Sequence, residues 1–161
     1  MSNDFLNGVA YPNPFDELTV QLCSRALRHV RILSPSLDHA VFDNERLLEA
    51  LITLVRRSRQ TRVRMLIADS RALVSRGHRL LQLARRLPTA IELQKLAEHP
   101  DWNGETVVIR DLEGVLYKPG GSDHDGFYEP ASRASARRHI ELFDELWRYS
   151  APDTELRTLS L

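Results

Sequence analysis

The sequence predicts an α/β fold built on a mixed, largely parallel sheet flanked by helices, and three observations carry that expectation. Short apolar runs at residues 30–34, 62–68 and 91–95 read as strands, each separated from the next by a stretch of helical periodicity. Strand, helix and strand in succession make a crossover with parallel pairing. Two further runs, 106–110 and 115–118, flank Asp111-Leu112-Glu113-Gly114, a compact turn sequence in which glycine can take positive φ, and so read as a hairpin. At 161 residues the chain fits one domain, 1–161, able to bury roughly two thirds of the surface its unfolded form would expose.

The N-terminal segment, 1–29, is expected to be helical over 14–29, where Leu18, Leu22 and Ala26 recur on one face. The core, 30–150, opens with a strand in which Val30, Ile32 and Ser34 alternate, ended by Pro35, which lacks a backbone donor. From Asp43 onward the stripe Leu47, Leu48, Leu51, Ile52 and Val55 defines a second helix. Asp43 or Asn44 suits its N-cap, and Arg56, Arg57 and Arg59 suit its negative C-terminal end. Residues 62–68, rich in Val, Met, Leu and Ile, read as a buried strand. Leu80, Leu83, Ala84 and Leu87 mark a third helix stopped by Pro88, after which Ile91, Leu93 and Lys95 return to a period of two. Residues 120–126 carry three glycines and no apolar side chain and read as loop. The final helix, 132–149, turns Ala136, Ile140, Phe143 and Trp147 inward and Arg137, Arg138, Glu141 and Asp144 outward, and 151–161 form a tail.

Composition narrows the partners. With 22 basic and 22 acidic residues the net charge is zero, and aromatic and basic residues do not interleave, so no nucleic-acid partner is expected. Of the basic residues 20 are arginine, Lys95 and Lys118 being the exceptions. The planar guanidinium suits bidentate carboxylate or phosphate contacts, although a GC-rich coding bias produces the same count. The single cysteine, Cys23, excludes an intramolecular disulfide and a cysteine-rich zinc site, and its place on the buried helical face makes it an inert core thiol. Met1-Ser2-Asn3-Asp4-Phe5 has no basic stretch leading into an apolar run, and no apolar segment reaches the roughly 20 residues needed to span a bilayer. Neither standard export nor membrane insertion is expected, and the cytoplasm is the expected compartment.

The most informative stretch is Gly104-Glu105-Thr106-Val107-Val108-Ile109-Arg110-Asp111. It resembles a phospholipase D catalytic strand, whose motif is His-x-Lys-x-x-x-x-Asp. Counting back from Asp111 puts Gly104 at the histidine and Thr106 at the lysine. The order of elements resembles the same family. Residues 29–73 resemble the opening of a half-domain, 77–96 its next helix and strand, and 106–147 its motif strand, hairpin and closing helix, ending in Phe143-Asp144-Glu145-Leu146-Trp147. The chain also resembles a small uncharacterised bacterial domain of phospholipase D-like type, found alone or fused to GNAT-type acetyltransferases, through Gly77-His78-Arg79-Leu80-Leu81, Ala84-Arg85-Arg86-Leu87 and Leu156-Arg157-Thr158-Leu159. It has no acetyl-CoA loop of the Gln/Arg-x-x-Gly-x-Gly/Ala kind, so an acetyltransferase activity is not expected.

In the family that the chain resembles, two half-domains bring two His-Lys-Asp sets to one interface, where one histidine attacks phosphorus and the other protonates the leaving group. A single half-domain therefore implies a twofold homodimer with the Asp111 strands near the axis. Glycine cannot replace a nucleophilic histidine, so the resemblance implies a degenerate site.

The individual candidates each have two readings. Asp111 either opens the hairpin turn and bonds to nearby amides, or works with a base drawn from His78, His99, His124 and His139, the last beside Arg138 on a solvated helix face. Ser75-Arg76-Gly77-His78-Arg79 lies at a helix start, where free amides and two arginines suit an anion, or where Ser75 is simply an N-cap and His78 packs locally. Residues 121–126 offer oxygen and imidazole donors but neither calcium-loop spacing nor a second histidine at i+4, so no metal is expected. Ser34 and Ser36 end a parallel strand near His39 without a Gly-x-Ser-x-Gly elbow. The expectation is a non-catalytic, homodimeric binding or regulatory module without a cofactor, its partner a protein or an anionic small molecule held by His78, Arg79 and Arg110 near Asp111. The alternative is a phosphodiester hydrolase with an active site rebuilt around Asp111 and His78 or His124.

Overall fold

A seven-stranded sheet in the order β1-β7-β6-β5-β2-β3-β4 organises the chain, in a computed structural model that describes residues 5–157. The expectations for Met1 to Asp4 and for Thr158 and Leu159 fall outside the described residues. Along the chain run β1 (Leu6–Val9), α1 (Phe15–Ser24), β2 (His29–Leu33), α2 (His39–Phe42), α3 (Glu45–Arg57), β3 (Arg62–Ile67) and α4 (Arg71–Arg76). There follow α5 (Arg79–Arg86), β4 (Ile91–Lys95), β5 (Thr106–Arg110), β6 (Gly114–Lys118), β7 (Gly126–Glu129), α6 (Arg133–Arg148) and α7 (Thr154–Arg157).

The crossover strands β2, β3 and β4 pair in parallel, with Arg31 opposite Arg64 and Arg64 opposite Glu92. The rest of the sheet is antiparallel: β5 runs against β2 and β6, and β7 against β6 and β1. The sheet is thus mixed, and its antiparallel part exceeds the sequence expectation because two short strands escaped the pattern. β1 is four residues long with three exposed positions, and β7 begins at Gly126, at the end of a stretch that reads as loop.

Two apolar layers hold the sheet. On one face Ile32, Val63, Met65, Val108 and Leu116 pack with Phe15 and Leu22 of α1, Leu47 and Leu51 of α3 and Leu80 and Leu83 of α5. On the other, Leu33, Leu66, Val107, Ile109 and Val115 meet Ala136, Phe143 and Leu146 of α6, with Trp102 beside them. Each fully buried Phe or Leu contributes roughly 1.5–3 kcal/mol relative to exposure. The caps follow side-chain chemistry: Asn44 accepts from the amides of Arg46 and Leu47 to start α3, and Ser132 accepts from Ser135 to start α6.

Three local expectations change. Helix α1 ends at Ser24 rather than His29, because the amides of 27–29 are held by Asp111 instead of by the helix. Ser75 lies inside α4, and His78 rather than Ser75 caps α5. Strand β3 is buried along only part of its length: Arg62 and Arg64 are half-exposed on the α6 side, where that helix packs over β6, β5 and β2.

Candidate functional site

The four residues expected to gather round an anion lie at opposite ends of the sheet. Arg110 pairs with Val30 at the start of β2, so Asp111 sits at the end of the sheet where β2 begins. His78 bonds to Leu37, beyond the other end of β2, and about 13 Å of strand separates the two ends. The antiparallel register of β5 against β2 dictates the separation.

Asp111 is a clamp. Its carboxylate accepts from the backbone N–H groups of Leu27 at 2.9 Å, Arg28 at 2.7 Å and His29 at 2.9 Å, and its own N–H donates to His29 O at 2.8 Å. The residue adopts φ of 51°, a left-handed conformation that aspartate tolerates better than most residues. Arg110, with its side chain 11% exposed, donates from Nη2 to Pro130 O at 2.7 Å and lies 3.7 Å from the Asp111 carboxylate. His124, on an exposed loop, is not a neighbour of either group in any hydrogen bond or ion pair among the described residues.

His78 and Arg79 stay together but are occupied. His78 is 3% exposed; its Nδ1 accepts from Leu80 N at 3.1 Å, and its Nε2 lies 3.0 Å from Leu37 O, which can only accept. The ring is therefore the neutral Nε2–H tautomer. Burial pushes its pKa down to about 4, with the nearby His39 ring acting in the same direction and Asp43 opposing it. The Arg79 amide and guanidinium both bond to Asp43, at 2.9 and 3.2 Å. The amides at the start of α5 thus already have protein acceptors. Ser34 Oγ accepts from Leu37 N, and Cys23 is a buried thiol whose pKa burial pushes up to about 12. No three His, Cys, Asp or Glu side chains stand close enough to share a metal ion among the described residues.

The edge of the sheet that carries Gly104 and Thr106 is built differently. Thr106 pairs with Lys118 across the β5–β6 hairpin, and both are buried on the α1 side. Lys118, its side chain 10% exposed, donates to Pro119 O at 3.0 Å, pairs with Asp123 at 3.3 Å and lies 5.1 Å from the centre of the Tyr11 ring. The Tyr11 hydroxyl donates to Asp38 at 3.1 Å; burial and that carboxylate raise its pKa above the ordinary phenol value. Gly104 has φ of 83°, a conformation that strains any L side chain, and Gly120 packs so closely that a Cβ there would lie 2.0 Å from Asn103 O. Loop, lysine and tyrosine together fill this edge with engaged groups.

The sequence profile of the family described as a domain of unknown function, DUF7931, matches residues 11–159. The chain belongs to the DUF7931 family. None of the curated proteins matches the sequence. Among solved structures, TrmBL2, an archaeal chromatin protein described for a novel mode of DNA binding, is similar at 13% identity over 95% of this chain, with a TM-score of 0.66. The chain spans 54% of the length of that protein. Nuc, a phospholipase D family member from Salmonella typhimurium, matches at 14% identity over 93% of this chain and 97% of its own, with a TM-score of 0.64. NucT from Helicobacter pylori matches at 13% identity over 94% and 99%, with a TM-score of 0.63. At these identities the likeness is one of fold: this DUF7931 domain has a mixed α/β architecture like that of the phospholipase D family members.

In this family member the sequence pointed to the strand and missed the residues that surround it. Lys118 carries a signal, being one of two lysines in an arginine-rich chain and standing in hairpin register with Thr106. Tyr11, Asp38 and Asp123 carry none, because they reach the edge from three separate loops.

Proposed function

We propose that this DUF7931 domain is a non-catalytic phospholipase D-like module that acts by binding an anion or a protein partner. The observation that carries the reading is the edge at Gly104 and Thr106. Glycine and threonine stand at the motif's histidine and lysine positions, and the nearby Lys118 is bound to Pro119 and Asp123 and covered by Tyr11. Gly104 further supports it, because its left-handed φ disfavours any side chain at the position where the motif has its nucleophile. The alternative hydrolase built on Asp111 and His78 has no support in the geometry, which separates those groups along β2.

The reading includes a homodimer, with the strand that ends at Asp111 near a twofold axis, as the half-domain resemblance implies. The expectation against nucleic acid is in tension with a fold neighbour that binds DNA, so DNA belongs among the probes. The test is hydrolysis of bis(p-nitrophenyl) phosphate by the full chain, alongside its mass in solution by light scattering. No turnover above the buffer rate is expected. Turnover that disappears in Lys118→Met or Asp123→Asn overturns the non-catalytic reading, and a monomer at all concentrations overturns the dimer.

A further inference from the structure

The flank of the sheet on the α6 side holds a row of cations, one of which the protein leaves without hydrogen-bond partners among the described residues. Along β2 and β3 the register places His29 beside Arg62 and Arg31 beside Arg64. All four share the face of Leu33 and Leu66, because side chains alternate along a strand. Like charges on neighbouring strands repel, so sequence and packing alone do not favour this arrangement. Arg62 is accounted for, since its Nη1 donates to Arg59 O and Thr61 O at 2.5 and 2.8 Å.

Arg31 is different. Its side chain is 15% exposed, and its buried Nε and Nη1 have no hydrogen-bond partner among the described residues. The nearest carboxylate, Asp144 of α6, is 3.7 Å from Nε, an attraction but beyond hydrogen-bond reach. Arg64 is held in place by its neighbours: Nε bonds to Glu92 at 3.1 Å and the guanidinium lies 5.1 Å from the centre of the Trp147 ring. Its terminal nitrogens make no hydrogen bond among the described residues. Beside this pair burial first and the Arg31 charge second lower the pKa of the His29 ring, with Asp111 opposing them.

We infer that Arg31 and Arg64, with His29 at the end of the row, form a binding site for a phosphate group. A tetrahedral oxyanion at the solvent side of the two strands, about 4.8 Å apart, would meet the more exposed Arg64 guanidinium and the Nη2 of Arg31. The buried Nε and Nη1 of Arg31 contribute charge rather than contact, and the anion would relieve the mutual repulsion. Asp144 and Glu92 compete for the same cations and limit its strength. The site lies on the opposite face of the sheet from Thr106 and Lys118 and stands whatever chemistry that edge performs.

The test is an NMR titration of the full chain at pH 7 and constant ionic strength, following the His29 ring with inorganic phosphate and, separately, with a single-stranded oligonucleotide lacking terminal phosphates. Arg31→Met and Arg64→Gln are compared with the parent. Replacing a poorly paired buried arginine by an apolar side chain of similar length is often neutral or stabilising, so Arg31→Met should fold, and Arg64→Gln at a more exposed position supplies a second reading. Saturable phosphate shifts at His29, weakened at least fivefold in both variants, support the site. Equivalent shifts with the oligonucleotide identify a phosphodiester as its occupant, and shifts with phosphate alone identify a free phosphate or monoester. No saturable shift with either probe, or shifts unchanged in both variants, overturns the inference.

Discussion

Replacing Asp111 by alanine removes the three backbone bonds that its carboxylate holds at 2.9, 2.7 and 2.9 Å and leaves an unsuited residue at φ of 51°. Water can take over the amides of Leu27 and Arg28, which are exposed, so each of those bonds counts for about 0.5–1 kcal/mol; the half-buried amide of His29 counts for about 1.5 kcal/mol. The left-handed backbone adds about 1 kcal/mol for alanine over aspartate or asparagine. Asp111→Ala should therefore cost about 3.5–4.5 kcal/mol, a large share of the stability of a typical domain. Asp111→Gly loses the same bonds but relieves the backbone and should cost about 1 kcal/mol less. Asp111→Asn should cost about 1.5 kcal/mol, since Oδ1 alone accepts from Arg28 and His29 and one amide oxygen can keep both. Urea unfolding followed by tryptophan fluorescence measures the series, with an unchanged slope required for comparison. If alanine costs under about 0.5 kcal/mol, or asparagine costs as much as alanine, the clamp account is wrong. If asparagine leaves stability intact and removes a phosphodiesterase activity, Asp111 is catalytic instead.

His78 gives the protein an acid sensitivity of known sign. Its pKa is about 4 folded and about 6.5 unfolded, so the unfolded chain takes up the proton first as pH falls; stability is constant above 6.5 and declines between 6.5 and 4 by up to about 3 kcal/mol. Urea midpoints across that range should fall less in His78→Gln, which can still donate to Leu37, and parallel losses in both proteins would remove His78 from the explanation. Restoring the motif residues as Gly104→His with Thr106→Lys should not produce phosphodiesterase activity and should lower stability by at least about 1–2 kcal/mol, because residue 104 is left-handed and Lys118 already fills the edge. Measured turnover in that double variant would show that the edge can open.

The regular elements were legible because their information is local. The stripe of Leu47, Leu51 and Val55, the alternation of Ile91 to Lys95 and the hairpin around Asp111 each specify their structure through neighbours a few positions away, and α3, β4 and β5 fall where the patterns predict. The four-residue strands β1 and β7 escaped because a segment that short, with one or two buried positions, has no period to detect. Strand β3 is buried at Val63, Met65, Leu66 and Ile67 as its apolar run predicts, and only Arg62 and Arg64, the polar members of the alternation, keep partial exposure.

The sequence by itself determined the α/β class, the strands that carry the parallel crossover and the absence of the motif's histidine and lysine. Tertiary structure alone decided which of the remaining polar residues meet. Register places Asp111 at the beginning of β2 and His78 past its end, converges Tyr11, Asp38, Lys118 and Asp123 on the opposite edge, and sets Arg31 beside Arg64. The physical reason is that periodicity reports which face of its own element a side chain takes, whereas proximity between elements depends on strand order and register. Those are set by the summed packing of two apolar layers, to which no single residue holds the key.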